Sequence, residues 1–343
     1  MNKTHIIAEL AWGHDGKISQ AIELMKKAKE SGADSFSIHL TDLPNYMVTY
    51  YGNGEGKVSA GREDLNVYKY LEDINPTNEQ WEELAKVATE IDIQLCIMPN
   101  DIQSLEFSQD RLNPEFYIVS PACFAEIDML EAIAKTGKKT LFRIGGAYLA
   151  EIEKVINIFR KNNNNSIILL HGFQNYPTKL EETDISLLKT LKETFNVEVG
   201  LADHIDGGDR LAKIIPMLSL GFGATYIEKH ITLNREDKSE DFESALNPED
   251  FKEFVENIRA TEIALGTPYF KDLNDATLRY RQVVRKRLVA SCDIKEGEVI
   301  TKDMIIAKRC DVGLTPDNQE LIIGRVTKQI IVKDEALMIE KFI

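Results

Sequence analysis

Short apolar runs alternate with amphipathic stretches along residues 5–266. The runs are HIIAEL (5–10), SFSIHL (35–40), IQLCIM (93–98), FYIVS (116–120), KTLFRI (139–144), SIILLHG (166–172), VEVGLA (197–202) and ATYIEKH (224–230). Each is short and rich in β-branched or aromatic residues, as strands are. Between them lie segments such as SQAIELMKKAKESGA, EQWEELAKVATEI, AEIDMLEAIAKTG and AEIEKVINIFRKN, whose apolar residues recur at helical spacing. Gly32 and Gly137 close two of these segments, as helix C-termini prefer. Eight strands alternating with helices predict an α/β fold, a (β/α)8 TIM barrel. A doubly wound sheet is the alternative, and eight regular units favour closure.

Two stretches break the alternation. Residues 41–77 are too long for an ordinary βα connection, and they are polar and tyrosine-rich (Tyr46, Tyr50, Tyr51, Tyr68, Tyr70). A long loop of this kind is expected to be a lid or binding loop, or else a solvated insertion. After residue 268 a polar stretch, 269–284, is expected to be a linker. It leads into residues 285–343, which alternate with period 2 and turn at KEGE and VKDE. That pattern predicts a small, independent β-rich domain.

Charge narrows the range of functions. The 41 basic residues against 56 acidic ones leave a formal charge of −15. Nucleic acid and anionic membranes are poor partners for such a chain, because they select clustered basic charge. No apolar run is long enough to cross a membrane. The opening residues MNKTHIIAELAWGHDG carry charge too early for a secretory leader. Cys96, Cys123, Cys292 and Cys310 are widely spaced and suggest neither a zinc knuckle nor a disulfide framework. A reduced, cytoplasmic protein is expected. An anionic substrate would need positive charge supplied locally, by side chains or by a metal.

Histidines mark where that chemistry sits. His14 follows strand one, His39 ends strand two, His171 ends strand six, His204 follows strand seven and His230 ends strand eight. The C-terminal rim is the active face of barrel enzymes. Histidine is also the commonest transition-metal ligand. Carboxylates join them: Glu9 on strand one, Asp203 before His204, and Glu228 two residues before His230. A spacing of two puts Glu228 and His230 on one face of the strand. Such a set suits a divalent metal acting as a Lewis acid. Buried ion pairs of Glu9 and Glu228 with Arg143 or Lys229 are the structural alternative.

The stretches IIAELAWGHDG, LLHGFQNYPT, VGLADH and GATYIEKHITLNREDKSEDFESALNPEDFKEFV resemble the sialic acid (N-acetylneuraminate, nonulosonic acid) synthase family. LVASCDIKEGEVITKDMIIAKR and IIGRVTKQIIVKDEAL resemble the antifreeze-like (SAF) domain that follows the barrel there. The resemblance implies condensation of phosphoenolpyruvate with the open-chain aldehyde of an N-acetylated aldose, assisted by manganese or magnesium. It assigns the metal to His204 and His230, and catalytic roles to Glu9, Glu228, Tyr176 and Asp241. It also implies a domain-swapped homodimer in which Arg309 of one chain reaches the sugar of the other.

Several positions depart from the family pattern. Ser37 and His39 stand where the family has lysine and glutamine on strand two, and Met98 and Pro99 where it has serine and threonine. Ile118, Pro121 and Cys123 replace its lysine, serine and catalytic glutamate after strand four. Gln174 replaces an asparagine and Ala202 a serine. The missing lysines and hydroxyls are those the resemblance assigns to phosphoenolpyruvate, and phosphate binding needs such groups in combination. His14, His39, Cys123 and Arg143 are therefore the candidates for a rebuilt pocket, and Gln174, Lys229 and Arg309 are further candidate substrate-binding residues. The donor is expected to be phosphoenolpyruvate or a related compound. A divergent aldolase-, lyase- or isomerase-type paralogue and a non-catalytic sugar-binding protein are the alternatives.

Overall fold

A computed structural model describes residues 3–51, 67–172 and 175–343. Among these, the parallel strands β1 (His5–Glu9), β2 (Ser35–Leu40), β3 (Gln94–Pro99), β4 (Phe116–Val119), β5 (Lys139–Arg143), β6 (Ile167–His171), β7 (Glu198–Asp203) and β8 (Ala224–His230) close into a barrel. β8 pairs with β1, Glu9 opposite His230 and Ile7 opposite Glu228. The predicted (β/α)8 barrel is the observed fold, and the doubly wound alternative is excluded by this closure.

The strands lack clean polar alternation because both faces are buried. Ile7, Cys96, Met98, Ile118, Leu141 and Leu170 from neighbouring strands fill the barrel interior. Their alternates Ile6, Ile38, Ile97, Val119, Phe142 and Leu169 pack outward under the helices. The helices supply one apolar stripe each, Ala21, Leu24, Met25 and Ala28 on Ile18–Glu30, and Ile152, Val155, Ile156 and Phe159 on Leu149–Lys161. Helix Asn78–Glu90 starts at a capping box, with Thr77 N–H donating to Gln80 Oε1 at 2.8 Å.

The described flanks of the long insertion after β2 form helices Leu43–Tyr46 and Val67–Ile74. Leu43, Leu71 and Ile74 make a small core with Trp12 and Tyr70 beside it. Residues 52–66 lie outside the described part.

The chain divides into two compact units, residues 1–266 and 267–343. In the second, β9 (Lys286–Ala290) pairs antiparallel with β10 (Ile305–Arg309). Isolated bridges such as Ile294 to Ile331 extend the pairing. Leu288, Ala290, Ile294, Ile300, Ile322, Ile331, Leu337 and Phe342 form a separate core. One expectation needs correction. The stretch expected to be a linker contains the helix Asp275–Val284, capped by Asn274, whose Oδ1 accepts from Thr277 N–H at 2.9 Å. None of its residues is buried, so the apolar stripe that reveals a helix in a sequence is missing.

Candidate active site at the barrel mouth

The strand period turns Glu9, His39, Arg143, Glu228 and, just past β7 and at the end of β8, His204 and His230 toward the barrel axis at its C-terminal end. Arg143 is the hub. Its Nη2 donates to Glu9 Oε2 at 2.6 Å and lies 2.9 Å from Glu228 Oε1. The second contact is an ion pair without hydrogen-bond alignment, and neither Glu228 oxygen accepts a directed hydrogen bond. Arg143 Nε is buried with no partner. Of the structural alternatives raised by the sequence, the Glu9–Arg143–Glu228 pairing is the one observed.

The electrostatics follow from this triad. Burial would raise the Glu9 carboxyl, but Arg143 and His39 outweigh it and hold it well below the usual range. Burial pushes Glu228 up to about 7, opposed by Arg143 and assisted by the Glu9 charge. Burial opposes the Arg143 charge, yet Glu228 and Glu9 leave the guanidinium more firmly protonated than usual. Glu9 Oε1 also accepts from Ala11 N–H at 3.1 Å and faces His39 Nε2 at 2.9 Å. Trp12 stands edge-on to His39, with ring centres 6.2 Å apart.

Beside Glu9, which is in register with His230, the rings of His204 and His230 lie 5.2 Å apart, and Tyr176 is 4.7 Å from His204 and 6.0 Å from His230. Both imidazoles are buried. Nδ1 and Nε2 of His204 and Nε2 of His230 have no hydrogen-bond partner. Burial, then the neighbouring His230 and Arg143, hold His204 well below its ordinary value; burial also pulls His230 down to about 3, against the Glu9 charge. The rings are therefore neutral and keep lone pairs free. Burial, with Asp241 adding to it, raises the Tyr176 phenol. Burial and the Glu240 charge raise Asp241 to about 7.

Asp241 sits in the loop after β8 with a left-handed φ of 59°. Arg235 anchors that loop. Its Nη1 donates to the carbonyls of Phe242, Glu243 and Ala245 at 2.7–2.8 Å, and its Nη2 donates to Asp206 Oδ1 at 2.8 Å. Gly207 N–H donates to Glu243 O at 2.7 Å. A Cβ at Gly207 would lie 1.9 Å from Ala245 O, so only glycine allows this approach. Sequence reasoning missed Trp12 and Arg235. WGHDG sat in plain view after β1, but nothing in the sequence tells an arginine clamp from a solvated one.

Other expected residues lie elsewhere. Lys229 points outward from β8, fully buried, donating to Asp203 Oδ2 at 2.6 Å and to Ile205 O at 2.8 Å. It is not a rim cation, and Asp203 is its partner rather than a member of the mouth; the strand alternation that aims Glu228 and His230 inward sends both outward. His171 also faces outward, its Nε2 against Thr183 O at 3.0 Å. His14 packs on Trp81, and its Nδ1 accepts from Gly16 N–H. Burial lowers it to about 4. Cys123 is buried with the outer core, its thiol directed to Asn100 O, and burial lifts it to about 12. That environment suits packing rather than a reactive thiolate. Arg309 is exposed on β10 and donates to Val283 O at 3.1 Å. Gln174 lies outside the described residues.

Comparison with known proteins places this architecture. The NeuB family model matches residues 24–269, and the SAF domain model matches 285–343. The chain belongs to the NeuB family. An uncharacterised protein of Methanocaldococcus jannaschii is 32% identical over 97% of this chain and 93% of its own. A pseudaminic acid synthase of Campylobacter jejuni is 31% identical over 98% and 95%. Human N-acetylneuraminate-9-phosphate synthase is 25% identical over 98% and 91%. Among solved structures, spore coat polysaccharide biosynthesis protein E of Chromobacterium violaceum shares the fold, with a TM-score of 0.80 at 21% identity over 99% of this chain and all of that one. This NeuB-family chain is an enzyme of the sialic acid synthase type. No helix among its described residues is long and apolar enough to cross a membrane.

Proposed function

We propose that the enzyme forms a carbon–carbon bond in the biosynthesis of nonulosonic-acid-like sugars, joining a three-carbon acid donor, phosphoenolpyruvate or a related compound, to the aldehyde of an N-acetylated aldose. The observation that carries this is the pair His204 and His230: two neutral, buried imidazoles with unpartnered nitrogens beside Tyr176 and Asp241. Buried polar atoms are rarely left unpaired without a reason.

These nitrogens fit a divalent cation. No group of three or more His, Cys, Asp or Glu side chains suited to a metal occurs among the described residues, so the remaining positions would fall to water and substrate oxygens. A manganese or magnesium ion held there would polarise the aldehyde carbonyl. The protein's own groups do the rest. Glu9 and Arg143 fix the floor of the mouth. Asp241 and Tyr176 bound the acceptor side and offer polar groups to sugar hydroxyls. The active form is proposed to be a homodimer in which Arg309 serves the partner's site.

The test is incubation with manganese, N-acetylated hexosamines and three-carbon acids, with mass spectrometry of the sugar product. A product heavier than the aldose by the three-carbon unit is expected. Absence of any such product with every aldose and donor would defeat the proposal.

A further inference from the structure

A separate cavity lies outside the barrel mouth. It has a volume of about 400 Å³ and is walled by the residues after β2, helix Val67–Ile74, the start of helix Asn78–Glu90 and helix Ile102–Phe107. None of the mouth residues Glu9, His39, Arg143, His204, Glu228 and His230 lines it. Hydrogen bonds tie its walls together. Asp101 Oδ2 accepts from Asp42 N–H and from the Ser104 hydroxyl, each at 2.8 Å, and Oδ1 accepts from Ser104 N–H at 2.7 Å. Asn75 Nδ2 donates to Thr41 O at 2.9 Å, which fixes the amide. Its Oδ1 is left buried without a partner, as few polar atoms are unless a ligand completes them.

The lining is mixed in character and one-sided in charge. Tyr68 and Phe107 supply aromatic surface, with Trp81 buried behind them. Asn75, Asn78 and Gln103 supply amides, and Asp42 and Glu72 supply carboxylates. Among the described residues no lysine, arginine or histidine joins them. A phosphate or carboxylate ligand would meet two like charges with no cation to offset its lost hydration. An ammonium ligand would satisfy the carboxylates but leave the amide N–H groups without acceptors. A neutral polyol offers donors and acceptors together, and the C–H face of its ring covers aromatic surface. We propose that this cavity is a second, non-catalytic site for an uncharged sugar of the hexose class. It owes nothing to the mouth residues, so it stands whether or not the synthase reading does.

The chain has two tryptophans, and they separate the two places: Trp81 lines the cavity and Trp12 stands by His39. In the full-length, manganese-supplemented Trp12→Phe variant, N-acetylglucosamine should change Trp81 fluorescence with a saturable dissociation constant on the order of 1 mM. Adding His204→Leu should leave that constant within about twofold, because the mouth is a distant, independent site. Tyr68→Ala should weaken binding about tenfold through lost aromatic contact. Glu72→Ala, at an exposed position where folding is not at risk, should weaken it about fivefold through a lost acceptor. Glu72→Gln keeps an acceptor and should stay within about twofold of the parent. No saturable signal up to about 100 mM, a signal abolished by His204→Leu, or constants unchanged in both Tyr68→Ala and Glu72→Ala overturns the site. A loss in Glu72→Gln as large as in Glu72→Ala shows that charge is recognised and overturns the uncharged ligand. Cavity binding with no condensation product removes the synthase reading alone, and condensation without cavity binding removes this site alone.

Discussion

The two ends of the barrel hold similar residue types in opposite states. At the N-terminal end His5 Nε2 meets Ser35 Oγ at 3.0 Å, its ring stacks on Tyr226 at 5.0 Å, and Lys139 Nζ donates to the Tyr226 hydroxyl at 2.5 Å. His5, Ser35, Lys139 and Tyr226 thus each have a partner there. At the C-terminal end, nitrogens of Arg143, His39, His204 and His230 and both oxygens of Glu228 are buried without a directed hydrogen bond. A folded chain closes one end for stability and leaves the other unsatisfied for a ligand to complete. The contrast identifies the working end without reference to any relative.

The strongest way to break that contrast is Arg143→Met. It leaves two carboxylates buried without a cation and should cost about 3–5 kcal/mol in urea unfolding. Adding Glu9→Gln and Glu228→Gln should recover much of it; a single variant as stable as wild type would mean the triad is not the organising charge network. His204→Leu and His230→Leu come next. Each should weaken manganese binding by more than about 100-fold, beyond the 10–100-fold typical of residues behind the ligands. Both should leave the melting temperature unchanged or higher, because an unpartnered buried group is removed. Unaltered manganese affinity by equilibrium dialysis would dismiss the pair as ligands.

His5 sharpens the contrast through pH. Burial lowers it from 6.5 to about 4, partly offset by Asp34. Between those values the unfolded chain binds a proton that the folded chain refuses, so stability falls as pH drops from 6.5 towards 4 and is unaffected by this group above 6.5. His5→Gln should flatten that slope without changing turnover. An unchanged slope would show that His5 is not the source. The smallest effect is expected of Lys139→Met, about 1 kcal/mol from the lost hydrogen bond to Tyr226 and nothing in manganese affinity.

The barrel was legible because each strand is a short apolar run and each helix carries a stripe. The same regularity placed Glu9, Glu228, His204 and His230 at one end. What it did not reveal was the inward or outward facing of residues at the very end of a strand. His171 and Lys229 stand beside inward-facing neighbours and point the other way, because alternation has period two and one position reverses it. Cys123 was misplaced for a different reason: a three-residue turn after β4 folds it back into the outer core. The exposed helix Asp275–Val284 had no apolar stripe to betray it.

The Arg235 clamp carries a thermodynamic consequence for the acceptor side. Four hydrogen bonds from one guanidinium, with the Gly207 amide, tie the loop bearing Asp241 to the segment that follows His204. Ordering a free loop on binding costs roughly 1–2 kcal/mol for each residue fixed. Here that entropy is lost during folding, before any sugar arrives. The acceptor therefore meets a rigid template, and its affinity reflects contacts made rather than order imposed.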